Sequence, residues 1–185
     1  QATQMLQVIR QFINGRRAIS DENTIVFVGR AALKLKTYDP KQVKENLYDR
    51  VLQSDPDNRE ALLAVGELAL AKRDFKLAGR TFTRAIGYYP EDADLLHGLA
   101  KAYAESDPSQ MEEPLHTAMF ANPDHIPSLL LQAHNQADAE QYDAANGILK
   151  AIFKVNPYHA ASWALQAALH TVRNEPAKAK AARAN

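Results

Sequence analysis

The stretch PDNREALLAVGELALAKRDFKLAGRTFTRAIGYYP, residues 56–90, decides the fold. Its first half places Ala61, Leu62, Val65, Leu68 and Ala69 on one face, the three-and-four spacing of an amphipathic helix. Asn58 stands just ahead of that face, where its side chain can accept from an early backbone N–H. Lys72-Arg73-Asp74 make a turn. A second helical pattern then runs through Phe75, Ala78, Phe82, Ala85 and Ile86. It stops at Pro90, which lacks an N–H and clashes with the preceding turn. Small Gly66, Ala78 and Ala85 sit where two helices must approach closely, and Leu62 and Phe82 fill the remaining space. The stretch therefore predicts an antiparallel helical hairpin.

The hairpin recurs. Pro56, Pro90, Pro123 and Pro157 are spaced 34, 33 and 34 residues apart, and stops in near-register at such a period mark a stacked repeat. The next copy carries Leu96, Leu99-Ala100, Tyr103, Met111, Leu115, Ala118 and Pro123. It is one residue short, which puts the deletion in the turn at 105–108. Ser109 and Glu112 offer a capping box there, and Pro114 should bend or delay the second helix. A further copy carries Leu129, Gln132-Ala133, Gln136, Ala145, Leu149, Ile152 and Pro157, and the last runs from Ala160 through Trp163, Gln166-Ala167 and His170 to Ala179. Upstream, Val28, Ala31-Ala32, Leu35, Tyr48, Val51 and Pro56 make a looser copy, with Lys44 where a small residue is expected. Thr3 to Asn14 read as one more amphipathic helix, with Gly15 as its C-cap.

These offsets resemble the tetratricopeptide repeat, whose pattern is a large residue, then Leu-Gly, an aromatic, Ala, Phe, Ala and Pro. Leu62, Val65-Gly66, Ala69, Ala78, Phe82, Ala85 and Pro90 fall on them, with Ala69 in place of the aromatic. The resemblance covers the chain from about residue 25 onward. It implies an all-α fold, an α-α superhelix built as a right-handed solenoid of antiparallel hairpins. The expected organisation is an N-terminal helix and linker over 1–22. A repeat domain follows over 23–185, with repeats at about 25–58, 59–92, 93–125, 126–159 and a partial 160–185. In the tail, the alanines of residues 174–185 leave a shallow outward apolar stripe. Together with the opening on Gln1 rather than Met, this gives the expectation of a fragment of a longer protein.

The resemblance also implies a role. First helices line the inner wall of such a stack, and a groove several helices long suits a peptide or a partner helix. Helical phase puts Arg30, Leu33, Lys36, Glu60, Leu63, Glu67, Leu70, Asp94, His97, Lys101, Leu130 and His134 on that wall. Leu33, Leu63, Leu70 and Leu130 are candidate apolar anchors, or they pack between neighbouring first helices; the sequence leaves both readings open. Some proteins of this family hold a chain-terminal carboxylate with clustered Lys, Arg and Asn. Acidic Glu60, Glu67 and Asp94 occupy the wall here, so no such clamp is expected. The expected function is a scaffold for a protein or peptide partner. The alternative is a recruiting segment of a larger enzyme, such as a peptidase or glycosyl transferase.

Other chemistry is thin. The 22 basic and 22 acidic side chains balance, which removes the cationic surplus that nucleic acids and anionic membranes attract. No cysteine is present, so disulfides, thiolate metal sites and a Cys nucleophile are excluded. The apolar run at 24–29 is too short to span a bilayer, which takes about 20 residues. No His-x-x-x-His pair occurs. His97 and His134, with Asp94 or Asp138, are the nearest approach to a metal set, but they read as polar groove residues. Trp163 reads as core, Tyr88 and Tyr89 as the seal of a joint between repeats, and His125 and His159 as helix-start residues. No phosphate loop or nucleophile elbow appears. No cofactor and no catalysis are expected.

Overall fold

The computed structural model describes Gln11, residues 21–36 and residues 38–184. The helix expected over Thr3 to Asn14, with its Gly15 cap, lies outside the described residues apart from Gln11. All secondary structure among the described residues is helical, and no strand occurs there. The chain divides into two compact units, residues 1–111 and 112–185.

In the first unit α1 (Glu22–Lys34) is started by Asp21, whose carboxylate accepts from Thr24 N at 2.9 Å. The second helix of this hairpin is built in three pieces: α2 (Pro40–Val43), a π-helical turn (Lys44–Tyr48) and α3 (Asp49–Ser54). Next come α4 (Arg59–Ala71), α5 (Phe75–Tyr88) and α6 (Ala93–Ser106). Asn58 caps α4 as its position predicts, accepting from Ala61 N at 2.9 Å. Asp74 and Asp92 do the same for α5 and α6. The turns of the hairpins pass through a left-handed residue, Lys36 at φ 53° and Arg73 at φ 59°, the usual way to end a helix and reverse the chain.

Burial follows the small-residue logic of the sequence. Phe82 is fully buried, and its ring lies against two glycines. A Cβ on Gly66 would come within 2.4 Å of the ring and one on Gly98 within 2.3 Å. The three helices α4, α5 and α6 can close on that ring only because both positions lack a side chain. In the first hairpin the fully buried Tyr48 does this work, and it lies against Gly29, where a Cβ would come within 2.4 Å.

That contact corrects the register expected for the first copy, in which Val28, Ala31-Ala32 and Leu35 match Leu62, Val65-Gly66 and Ala69. Instead Gly29 takes the place of Gly66 and Ala32 that of Ala69, while Leu35 is exposed. The helix sits three residues earlier relative to its partner, and the turn after it is longer. Lys44 opens the π turn and holds Asp49 through Nζ at 2.8 Å.

The second unit contains α7 (Glu112–Ala121), α8 (Ile126–Asp138), α9 (Tyr142–Val155), α10 (Ala160–Val172) and α11 (Pro176–Arg183). Its core gathers Ala133, Ala145, Leu149, Ile152, Leu165 and Leu169. The capping box expected from Ser109 and Glu112 does not form. Ser109 lies inside a 3-10 turn (Pro108–Gln110) and its hydroxyl donates to Asp107 at 2.6 Å. Pro114 falls in the first turn of α7, where a missing N–H costs nothing. Trp163 is only half-buried; it stacks on Phe153 with ring centres 4.1 Å apart and donates from Nε1 to the Pro157 carbonyl. His125 and His159 start α8 and α10, each with Nδ1 2.8 Å from a serine hydroxyl three residues on.

Candidate functional site

The first helices of the first unit, α1, α4 and α6, share one polar ladder. Arg30 on α1 donates from Nη1 to Glu60 Oε2 at 3.1 Å, and its Nη2 lies 3.2 Å from Glu67 Oε2. Glu60 also pairs with its neighbour Arg59. Arg59 in turn reaches α6, from Nε to Asp92 at 2.6 Å and from Nη2 to Asp94 at 2.7 Å. The hydrogen bond to Asp92, then those to Asp94 and Glu60, hold the Arg59 guanidinium even more firmly charged than usual. Two guanidiniums here face four carboxylates, so the ladder carries surplus acid. Glu67 bears the consequence. Burial raises its pKa first, against the pull of Arg30, and the negative charges of Asp94 and Glu60 raise it further.

Beside the ladder, between α1 and α4, lies an open cleft of about 690 Å³. Its cations are Arg30, Lys34, Lys36 and Lys72, its one carboxylate is Glu67, and Leu33, Ala64, Leu68 and Ala71 supply apolar wall. Tyr48 also lines it. Its hydroxyl is buried and has no hydrogen-bond partner among the described residues, and neither has Nε of Arg30. Burial raises the Tyr48 pKa far above that of a free phenol, so the hydroxyl stays a donor. A buried polar group left unsatisfied costs about 1–3 kcal/mol.

Of the wall residues expected from sequence, the structure brings Arg30, Glu60, Glu67 and Asp94 into this ladder, with Leu33 and Lys36 at the cleft. His97 and Lys101 lie further along α6, half-buried and exposed. Leu63 is 7% exposed, within the hydrophobic core of the first unit, and Leu70 is half-buried against the same core. In the second unit Leu130 packs half-buried on its own core, and His134 on the same helix is exposed. Among the described residues no group of three His, Asp or Glu side chains is placed to hold a metal ion. Of the two tyrosines read as a seal, Tyr89 donates from its hydroxyl to the Asp57 carbonyl at 2.9 Å, whereas Tyr88 is exposed.

Sequence reasoning missed Arg59, Asp92, Lys34, Lys72 and the Tyr48 hydroxyl. Arg59 and Asp92 stand at helix starts, one at the first position and one at the cap, where they read as terminal rather than wall residues. Tyr48 occupies a core aromatic position, and nothing in the pattern shows that its buried hydroxyl is left without a hydrogen-bond partner among the described residues.

A second cleft, of about 630 Å³, lies between α5 and α6. Lys76, Arg80 and Arg84 line it one helical turn apart, beside Phe75 and Tyr103. Arg84 is already engaged with the Pro56 carbonyl.

No family model matches the sequence, and no curated protein matches it. Solved structures do. A thermophilic tetratricopeptide-repeat protein of Thermus thermophilus, TTC0263, is 19% identical, with 89% of each chain covered and a TM-score of 0.76. PilF of Pseudomonas aeruginosa is 18% identical, with 87% of this chain and 71% of that one covered and a TM-score of 0.69. YrrB, described as a tetratricopeptide-repeat protein with an unusual peptide-binding site, is 17% identical over 96% of this chain and 88% of that one, with a TM-score of 0.57. The chain thus has the all-α helical-repeat fold of tetratricopeptide proteins. No helix among the described residues is long and apolar enough to cross a membrane.

Proposed function

We propose that this chain is an interaction scaffold that binds a peptide or protein segment on the first-helix face of its hairpins. In the first unit that face is made by α1, α4 and α6. The observation that carries the reading is the ladder from Arg30 through Glu60 and Arg59 to Asp94. It links three successive first helices and leaves charge exposed along them, with a cleft in the same wall. Preorganised charge that crosses several helices suits an extended partner better than a small molecule. The peptide-binding site named for YrrB, a protein of the same fold, supports the reading. Half-buried Leu33 and Leu70 add apolar contact, whereas Leu63 serves the core. The role is non-catalytic.

Selection of peptides from a displayed random library, followed by binding to surface variants, tests this. Asp94→Lys and Lys101→Glu together should weaken the selected peptides at least tenfold with little change in melting temperature. Lys76→Glu with Arg80→Glu, on α5, should leave binding unchanged. The reverse pattern would move the site to α5 and end the proposal.

A further inference from the structure

We infer that the cleft between α5 and α6 is a second docking surface, and that its occupant is a helix of a partner protein with carboxylates one turn apart along one face. The inference stands apart from the first-helix reading, since it uses neither the ladder nor the cleft between α1 and α4.

Charge in this cleft is one-sided and accessible. Lys76, Arg80 and Arg84 line it at successive turns of α5, and no carboxylate lines it. Lys76 and Arg80 are exposed and make no ion pair among the described residues. The carboxylates at its edge are already engaged. Asp74 caps α5 at Leu77 N, and Glu105 lies 3.5 Å from Arg73 Nη2. The chain as a whole has no cationic surplus, so a discrete acidic element suits the patch better than a polyanion.

The walls select a helix. Both are α-helices, whose backbone groups are bonded internally, so an extended segment would find few backbone partners there. A helix brings its own backbone hydrogen bonds and presents side chains alone. Carboxylates on it four residues apart repeat at the spacing of Lys76 and Arg80 on α5. Gly79 lines the cleft beside them, and a Cβ there would meet nothing within 4 Å. No internal contact requires that glycine, and its bare backbone lets a partner helix come close to α5.

Contact comes from the rings. Half-buried Phe75 and Tyr103 line the same cleft, and Arg73 lies over the Phe75 ring, 5.4 Å from its centre. Exposed ion pairs contribute little singly, so the rings hold apolar side chains of the partner while the cations choose its sign.

Fluorescence anisotropy of the full chain with a helical peptide blocked at both ends tests this. The peptide is Ala-rich, about 15 residues long so that it holds a helix in water, and carries Glu one turn apart beside a row of Leu. Its control replaces every Glu with Gln. The Glu peptide should bind about tenfold more tightly at low salt, the sum of several exposed ion pairs. Lys76→Glu with Arg80→Glu should abolish that preference at an unchanged melting temperature. Gly79→Gln should weaken the Glu peptide about fivefold while the melting temperature holds or rises, a split that a purely structural role for the glycine does not produce. Asp94→Lys with Lys101→Glu should leave this binding unchanged, which separates it from the first-helix site. Short library peptides, unstructured when free, judge that other site. Equal binding of the Glu and Gln peptides, or binding of neither, overturns the inference and leaves the first-helix reading standing. Unchanged affinity in either α5 variant overturns it too. A central proline breaks the helix of the Glu peptide; undiminished binding of that version would make the occupant extended and end the inference. Self-association of the chain alone, removed by Lys76→Glu with Arg80→Glu, would make a second copy the occupant and end it likewise.

Discussion

Tyr48 and Phe82 stand 34 residues apart and fill the same joint in successive hairpins, both fully buried. Around Phe82 both neighbouring first helices offer glycine, Gly66 and Gly98, and the ring is gripped from two sides. Around Tyr48 only Gly29 makes such a contact, and Ala64 stands where Gly98 would. The helix carrying Tyr48 also contains a π turn, which is uncommon and often marks a functional position. The Tyr48 joint keeps a buried hydroxyl without a hydrogen-bond partner among the described residues, with a cleft beside it.

The largest effect should come from emptying the tight joint. Phe82→Ala should cost about 3–5 kcal/mol, seen as a drop of roughly 10 °C or more in thermal melting. A loss under about 1 kcal/mol would mean that the joint is not the keystone described. Crowding the same joint comes next. Gly66→Ala or Gly98→Ala should destabilise by about 1–3 kcal/mol, even after the helix-propensity gain of alanine. Gly79→Ala meets nothing within 4 Å and should stabilise by about 0.5–1 kcal/mol. The opposite signs are the check.

Exchanging the two aromatics sharpens the comparison further. Phe82→Tyr forces a hydroxyl between two glycines and should cost about 1–3 kcal/mol. Tyr48→Phe removes a hydroxyl that has no partner among the described residues and should be neutral or stabilising by up to about 1 kcal/mol. Urea titrations of both variants against the parent would show whether the joints differ as described.

The smallest effect belongs to Glu67. Its folded pKa is raised above the ordinary glutamate value of 4.5, chiefly by burial. The folded state therefore holds its proton to higher pH than the unfolded chain, and ionisation erodes stability as pH climbs above that value. Arg30 and Lys34 oppose the shift, while Glu60 and Asp94 add to it. Glu67→Gln should therefore raise the melting temperature at pH 7 and make no difference near pH 4. With the side chain half exposed, solvent screening limits the gain to a few tenths of a kcal/mol, roughly.

The same comparison explains what was legible in the sequence. The spacing of Pro56, Pro90, Pro123 and Pro157, with Gly66 opposite Phe82, carried the repeat and the hairpin, because stops and close approaches demand particular residue types. The first copy misled because Val28, Ala31, Ala32 and Leu35 satisfy an apolar frame equally well three residues out of step. The contact of Gly29 with the Tyr48 ring reveals the true register. The charged wall was legible from helical phase at Arg30, Glu60, Glu67 and Asp94. The partners that tie it together were not, because Arg59 and Asp92 sit at helix starts and long side chains reach across helices in ways periodicity does not encode. For Leu63 the sequence left two readings open, groove anchor or packing between first helices, and its burial favours the second.

Amide hydrogen exchange of the first unit with a selected peptide bound tests the account most directly. Slowed exchange in α1, α4 and α6, together with the α1–α2 turn at the cleft, is the predicted footprint. Protection confined to α5 around Lys76 and Arg80, with the first helices unchanged, would contradict it.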